Sequence, residues 1–189
     1  MYRRTVSLAL AAGLIALSGC NSNDQSANAK TGAEAVKEAG DKTIAAGLDQ
    51  KGQFFTLAKA AGLDATLAGP GPYTVFVADD AAYAKLPPGT IDGWMKPEGR
   101  PDLTRTISYQ ILPGTVLAAD IGNAIDHSDG KAVLATMGGG TLTATREGDK
   151  IVLTDSAGGK ATIAKADETL ANGVIHRTDA VLMPGKSAA

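Results

Sequence analysis

The chain has a single cysteine in 189 residues and eight aromatic side chains, with Trp94 its only tryptophan. A lone thiol cannot close a disulfide within the chain, so stability must come from packing. Scarce aromatics leave the core to Leu, Ile, Val and many alanines. Basic residues form no stripe with interleaved aromatics, which argues against nucleic acid as a partner. The most basic neighbourhood, around Lys150, Lys160 and Lys165, reads as solvated strand and turn positions. The longest apolar run, Val6–Leu17, is too short to span a bilayer comfortably.

Catalytic and metal-binding patterns are missing as well. The two histidines, His127 and His176, belong to no Ser-His-Asp order with a nucleophile elbow. Asp126–Gly130 lacks the carboxylate spacing and terminal glutamate of a calcium loop, and no Cys/His zinc set can be assembled. Gly138–Gly140 and Gly158–Lys160 lack the spacing of a phosphate loop and read as turns between strands. The sequence therefore predicts no catalytic residue, no metal and no cofactor.

What is present is ordinary globular composition, 44% hydrophobic and 20% charged. A folded region of roughly 145 residues can bury about two thirds of the surface its unfolded chain exposes. Arg3 and Arg4 are the only charges before Cys20, so the remainder carries 16 basic and 20 acidic groups, net −4. Spread over mixed-sign residues, that charge gives little long-range steering.

The N-terminus reads as an address. Arg3-Arg4 forms a positive region compatible with general secretory or twin-arginine export, and the short apolar run ends in Leu17-Ser18-Gly19-Cys20. A branched apolar residue, two small residues and cysteine resemble a bacterial lipobox. Residues 1–19 are then a signal peptide, and Cys20 is the lipidation site anchoring the chain to a membrane. Asn21, where an aspartate would favour inner-membrane retention, points to outer-membrane placement. Residues 20–43 are polar and small, and read as a flexible tether with transient helicity at Ala33–Ala39.

From residue 44 the pattern is globular. Phe54, Leu57, Ala58 and Ala61 make a helical stripe stopped by Gly62. Asp64 suits a cap for a short turn through Leu67, and Gly69–Pro72 breaks the chain before a buried strand at Tyr73–Val77. Asp79 or Asp80 is placed to cap a helix running through Tyr83 to Leu86, and helices follow at Ile91–Met95 and Leu103–Ile111. Strands are expected at Thr115–Ile121, Lys131–Met137, Lys160–Ala166 and Val174–Met183, the last ended by Pro184. A hairpin spans Thr141–Asp155. With Gly148-Asp149 as its turn, Glu147 faces Lys150, Arg146 faces Ile151, and Leu142, Ala144, Ile151 and Leu153 share a face.

Three segments carry a family resemblance: Tyr73–Pro87 (YTVFVADDAAYAKLP), Leu103–Gly114 (LTRTISYQILPG) and Asn172–Pro184 (NGVIHRTDAVLMP). Together they resemble the signature motifs of the fasciclin domain, across Leu48–Pro184. Tyr109 matches the family's central tyrosine, whereas Gln110 stands where its histidine would be. The resemblance implies an α+β fold over residues 44–185, a strand wedge or sandwich with several short helices packed on it. It implies motif roles for Asp79, Asp80, Asn172, Gly173, His176 and Asp179, and a contact surface around Tyr109 and Gln110. It also implies a non-enzymatic adhesion or interaction module with a protein or glycan partner in the cell envelope or extracellular matrix. The alternative is an extracytoplasmic carrier of a small apolar or carbohydrate ligand. His176, within a closing strand, is expected to be a hydrogen-bonded structural residue, and Tyr109 a packing residue with a paired hydroxyl.

Overall fold

A computed structural model describes residues 31–38 and 40–185. The expected signal peptide and lipidation site, Cys20, lie outside these residues. The first described element is helix α1 (Gly32–Glu38), where the sequence predicts a flexible tether with transient helicity at Ala33–Ala39. Thr31 and Glu34 start it reciprocally: the Thr31 amide donates to the Glu34 carboxylate at 2.9 Å, and the Glu34 amide to the Thr31 hydroxyl at 3.4 Å. Ala35 then packs on Leu117 and Val174. The tether expectation is corrected over Gly32–Glu38, because a capped turn with one buried alanine docks on the domain.

Helices α2 (Ile44–Gly47), α3 (Gln53–Ala60) and α4 (Asp64–Ala68) follow. Gly62, at φ 75°, stops α3 as its sequence suggests, whereas Asp64 opens α4 from inside the helix and does not cap it. Strand β1 (Tyr73–Ala78) leads to helices α5 (Asp80–Tyr83), α6 (Thr90–Met95) and α7 (Arg100–Tyr109), and then to strand β2 (Ile111–Pro113).

The region expected to be a strand at Thr115–Ile121 instead enters helix α8 (Ala118–Asp126). Leu117, Ile121 and Ile125 recur every four residues, which is helical spacing. Asp120 accepts the Leu117 amide at 2.9 Å, and Asp167 accepts the Ala118 amide at 2.8 Å. These bonds satisfy amides that the start of a helix leaves without partners.

The rest is β: β3 (Lys131–Ala135), β4 (Thr141–Glu147), β5 (Lys150–Thr154), β6 (Lys160–Leu170) and β7 (Gly173–Thr178). The β4–β5 register pairs Glu147 with Lys150 and Arg146 with Ile151, as counted from the sequence. Strand β6 runs longer than expected, through register shifts near Lys165 and Glu168 and a left-handed Asp167 at φ 59°. Strand β7 stops at Thr178, well short of Pro184. There the Asp179 carboxylate accepts the Thr162 amide at 2.7 Å, the Asp179 amide donates to the Thr162 carbonyl at 3.2 Å, and the chain bends.

Seven strands form one sheet in the order β2-β1-β7-β6-β5-β4-β3. Only β1 and β7 are parallel. The Met137 amide donates to the Ile111 carbonyl at 2.8 Å, bringing the end of β3 back to β2 and curling the sheet toward closure. Val75, Val77 and Ile175 face one core, shared with α2–α7. Phe76 faces a second core, shared with α8 and the β4–β5 hairpin. Both central strands are thus covered on both faces, as parallel strands usually are.

Candidate interaction site

The motif residues converge on the ends of β1 and β7. Asn172, just before β7, is buried. Its Oδ1 accepts the Ile44 amide at 2.7 Å, while Nδ2 donates to the carbonyls of Leu67 and Gly69 at 2.9 and 2.8 Å. One amide therefore joins the start of α2 and the end of α4 to the sheet. Gly173 follows at φ 148°, and a Cβ there would lie 1.9 Å from the Tyr73 carbonyl oxygen. Only glycine allows β1 and β7 to meet so closely.

His176, on β7, is completely buried and stacks on Phe76 at 5.5 Å between ring centroids. Its Nε2 lies 2.8 Å from the Val116 carbonyl, and its Nδ1 accepts the Asp167 amide at 3.2 Å. These partners specify the neutral tautomer with its proton on Nε2. Burial lowers the imidazole pKa, and the Val116 bond and the charges of Asp167 and Glu168 oppose that shift only in part. The ring spans β7, the α7–α8 connection and the β6 bulge.

Tyr109 and Gln110, read from the sequence as a contact surface, are both fully buried. This corrects that expectation. The Tyr109 hydroxyl donates to the Thr141 carbonyl at 2.6 Å and accepts the Ser156 amide at 2.9 Å, pinning α7 to the start of β4 and the β5–β6 turn. Gln110 ends α7 with a long 3.4 Å bond from Nε2 to the Thr106 carbonyl, and its Oε1 has no partner. Neither side chain reaches the surface.

The two aspartates differ from the expected cap. Asp79 occupies the N-cap position of α5 but makes no side-chain cap bond. Its amide extends the β1–β7 ladder to the Thr178 carbonyl at 3.1 Å. Asp80 instead accepts the Gln53 amide, the first of α3, at 2.9 Å. It supplies from a distance the cap that Gly52 has no side chain to provide.

Asp155 is a structural residue that the sequence reading missed. Its Oδ1 accepts the amides of Ala157 and Gly159, and its Oδ2 accepts that of Met183. The Asp-Ser-Ala-Gly-Gly spacing is a turn signal that could have marked it.

Among the described residues, no three His, Cys, Asp or Glu side chains gather as a metal site. The inner residues of β3–β6 fill the second core; on the outer face Lys131, Val133, Lys150 and Lys160 are exposed, Thr143, Thr145, Thr154 and Thr162 are half-buried, and Val152 is buried. A separate cleft of about 530 Å³ lies between α1 and the Pro70–Pro72 loop, lined by Val36, Thr115 and Asn172 among others.

A sheet joining first and last motif strands, with these residues at the junction, defines a class of domain. The chain belongs to the fasciclin domain family, whose model it matches over residues 50–184. It is 32% identical over 141 residues to protein sll1483 of Synechocystis, spanning 75% of this chain and 71% of that one. It is 28% identical over 114 residues to the immunogenic protein MPB70 of Mycobacterium bovis, 60% of this chain and 51% of that one. A solved domain pair from the insect cell adhesion molecule fasciclin I shares the fold, with TM-score 0.51 at 19% identity over 69% of this chain and 44% of that chain.

Proposed function

We propose that the protein is a lipid-anchored, extracytoplasmic interaction module that works by contact, with a protein or glycan partner in the cell envelope. One observation carries the reading. Tyr109, Gln110, Asn172 and His176 are buried within the fold, and Asp80 and Asp179 are engaged by backbone amides, whereas the outer face of β3–β6 presents Lys131, Val133, Lys150 and Lys160 to solvent. Family membership and the fasciclin I likeness support an adhesive role. The Leu17–Cys20 box supports an anchor at Cys20. Cross-linking in intact envelopes tests the contact role: a captured macromolecule supports it, and a domain that cross-links to nothing argues against it. Changing Cys20 to serine should release the protein from membranes on fractionation, and a variant as firmly bound as its parent refutes the anchor.

The carrier reading draws on the cleft beside α1, whose size lies in the range of small-ligand sites. Native mass spectrometry of the purified protein decides between them, since a stoichiometric co-purifying molecule favours the carrier.

A further inference from the structure

The outer face of β3–β6 is a ruled array of hydroxyls bounded by lysines. Strand register sets Val133, Thr143, Thr154 and Lys160 side by side in one row. The adjacent row is Lys131, Thr145, Val152 and Thr162, of which Val152 is buried beneath its neighbours. Neighbours within a row are about 4.8 Å apart, and the rows are separated by about 6.7 Å, the i to i+2 distance of a strand. Among the described residues, the hydroxyls of Thr143, Thr154 and Thr162 have no hydrogen-bond partner in the chain, while Thr145 bonds weakly to the Val152 carbonyl at 3.4 Å.

Charge singles this face out. Lys131 and Lys160 end the two rows at opposite edges, and Lys150 lies beyond them, across from Glu147. Glu147 is the one acid in the array and is already bonded to Lys160 at 2.8 Å. The face is therefore net positive on a chain whose formal charge is −2. Lys131 stands apart from Lys150 and Lys160 in the sequence until the antiparallel register brings all three to one face.

We propose that this face binds an anionic polysaccharide, a uronate-type polymer whose carboxylates pair with Lys131 and Lys150, and with Lys160 in exchange for its partner Glu147, and whose hydroxyls meet the threonine rows. This names the partner class and surface of the interaction module inferred above, and rests on that reading. Protein hot spots favour Trp, Tyr and Arg, and single-stranded nucleic acid needs aromatic platforms; this face has none of them. Ammonium groups on flexible stems suit a polymer of repeated point charges. A face four strands wide, about 14 Å across along the pairing direction, spans several sugar units of an extended chain.

The test is affinity electrophoresis of the full chain through gels containing polygalacturonate, with dextran as the neutral control. The expected result is retardation by polygalacturonate alone that fades as salt rises. The combined variant Lys131→Gln, Lys150→Gln and Lys160→Gln should bind at least about tenfold more weakly with an unchanged melting temperature, as three exposed charges allow. Changing Thr143 and Thr154 to alanine should weaken binding without altering its salt dependence. Absence of retardation, equal retardation by dextran, or a lysine variant that binds like its parent each overturns the proposal. Envelope cross-linking by that variant separates the two readings: undiminished capture of a partner leaves the contact role standing and removes this face from it.

Discussion

His176 is a neutral ring in a sealed place, which gives the protein a pH dependence with a definite sign. Burial holds its folded pKa below the ordinary 6.5, so the unfolded chain takes up a proton first as the pH falls. The stability linked to this residue is complete above about pH 6.5 and is lost as the pH drops toward the folded value, with a slope approaching about 1.4 kcal/mol per pH unit. Glu168 acts lower down. Burial would raise its pKa, but bonding to Arg177 and Lys165 lowers it below 4.5, so its contribution disappears only in more acidic solution. Chemical denaturation between pH 7 and 5 should therefore show a decline that His176→Gln flattens, and equal slopes in parent and variant would refute the assignment. Gln110 offers the opposite case. Its Oε1 is buried without a partner, so Gln110→Met should be neutral or stabilising by about 1 kcal/mol. A large loss of stability would show that the amide is better satisfied than its geometry indicates. The paired hydroxyl of Tyr109 was legible in the sequence, because a tyrosine amid core residues needs a partner. The burial that removes Tyr109 and Gln110 from the surface was not, because it depends on Thr141 and Ser156 arriving from far along the chain.

At the scale of elements, the local rules were the readable ones. The β4–β5 register followed from a two-residue turn and a charge pair, and α3 from its apolar spacing and terminal glycine. Helix α8 was not legible within Thr115–Ile121, because the helical spacing of Leu117, Ile121 and Ile125 is completed only beyond that segment. Helix α1 carried a legible signal in Thr31 and Glu34, a capping box three residues apart. Its docking was not legible, since Ala35 alone cannot specify a surface. That docking depends on close approach: a Cβ on Gly32 would lie 2.5 Å from the Thr115 carbonyl oxygen. Gly32→Val should therefore detach α1 while leaving the domain folded. Hydrogen exchange should accelerate at residues 33–38 and stay unchanged in β1 and β7, and unchanged exchange throughout would refute the close packing. The remote cap from Asp80 to α3 belongs to the same class of hidden contact, because no rule of spacing links residues 53 and 80.

Across the whole molecule, the fold turns on a strand that arrives last. β7 lies between β1 and β6 near the middle of the sheet and pairs in parallel with a strand about a hundred residues earlier. A parallel partner cannot be deduced from a turn, which is why the strand order was not legible although most of the strands were. Without β7, β1 loses its parallel partner and β6 an antiparallel one, while Asn172 would have no sheet to fasten to α2 and α4. The two cores would separate along the same line, since Ile175 contributes to one and His176 stacks on Phe76 of the other. The β3–β5 meander keeps its own local pairing, but a three-stranded unit with half its core removed has little to bury. Ending the chain at Asn172 should therefore abolish cooperative unfolding and leave no stable subdomain. The measurement is a urea titration followed by circular dichroism. A retained sigmoidal transition would show that the meander and helices stand without the closing strand, and that the junction of β1 and β7 is not what holds the domain together.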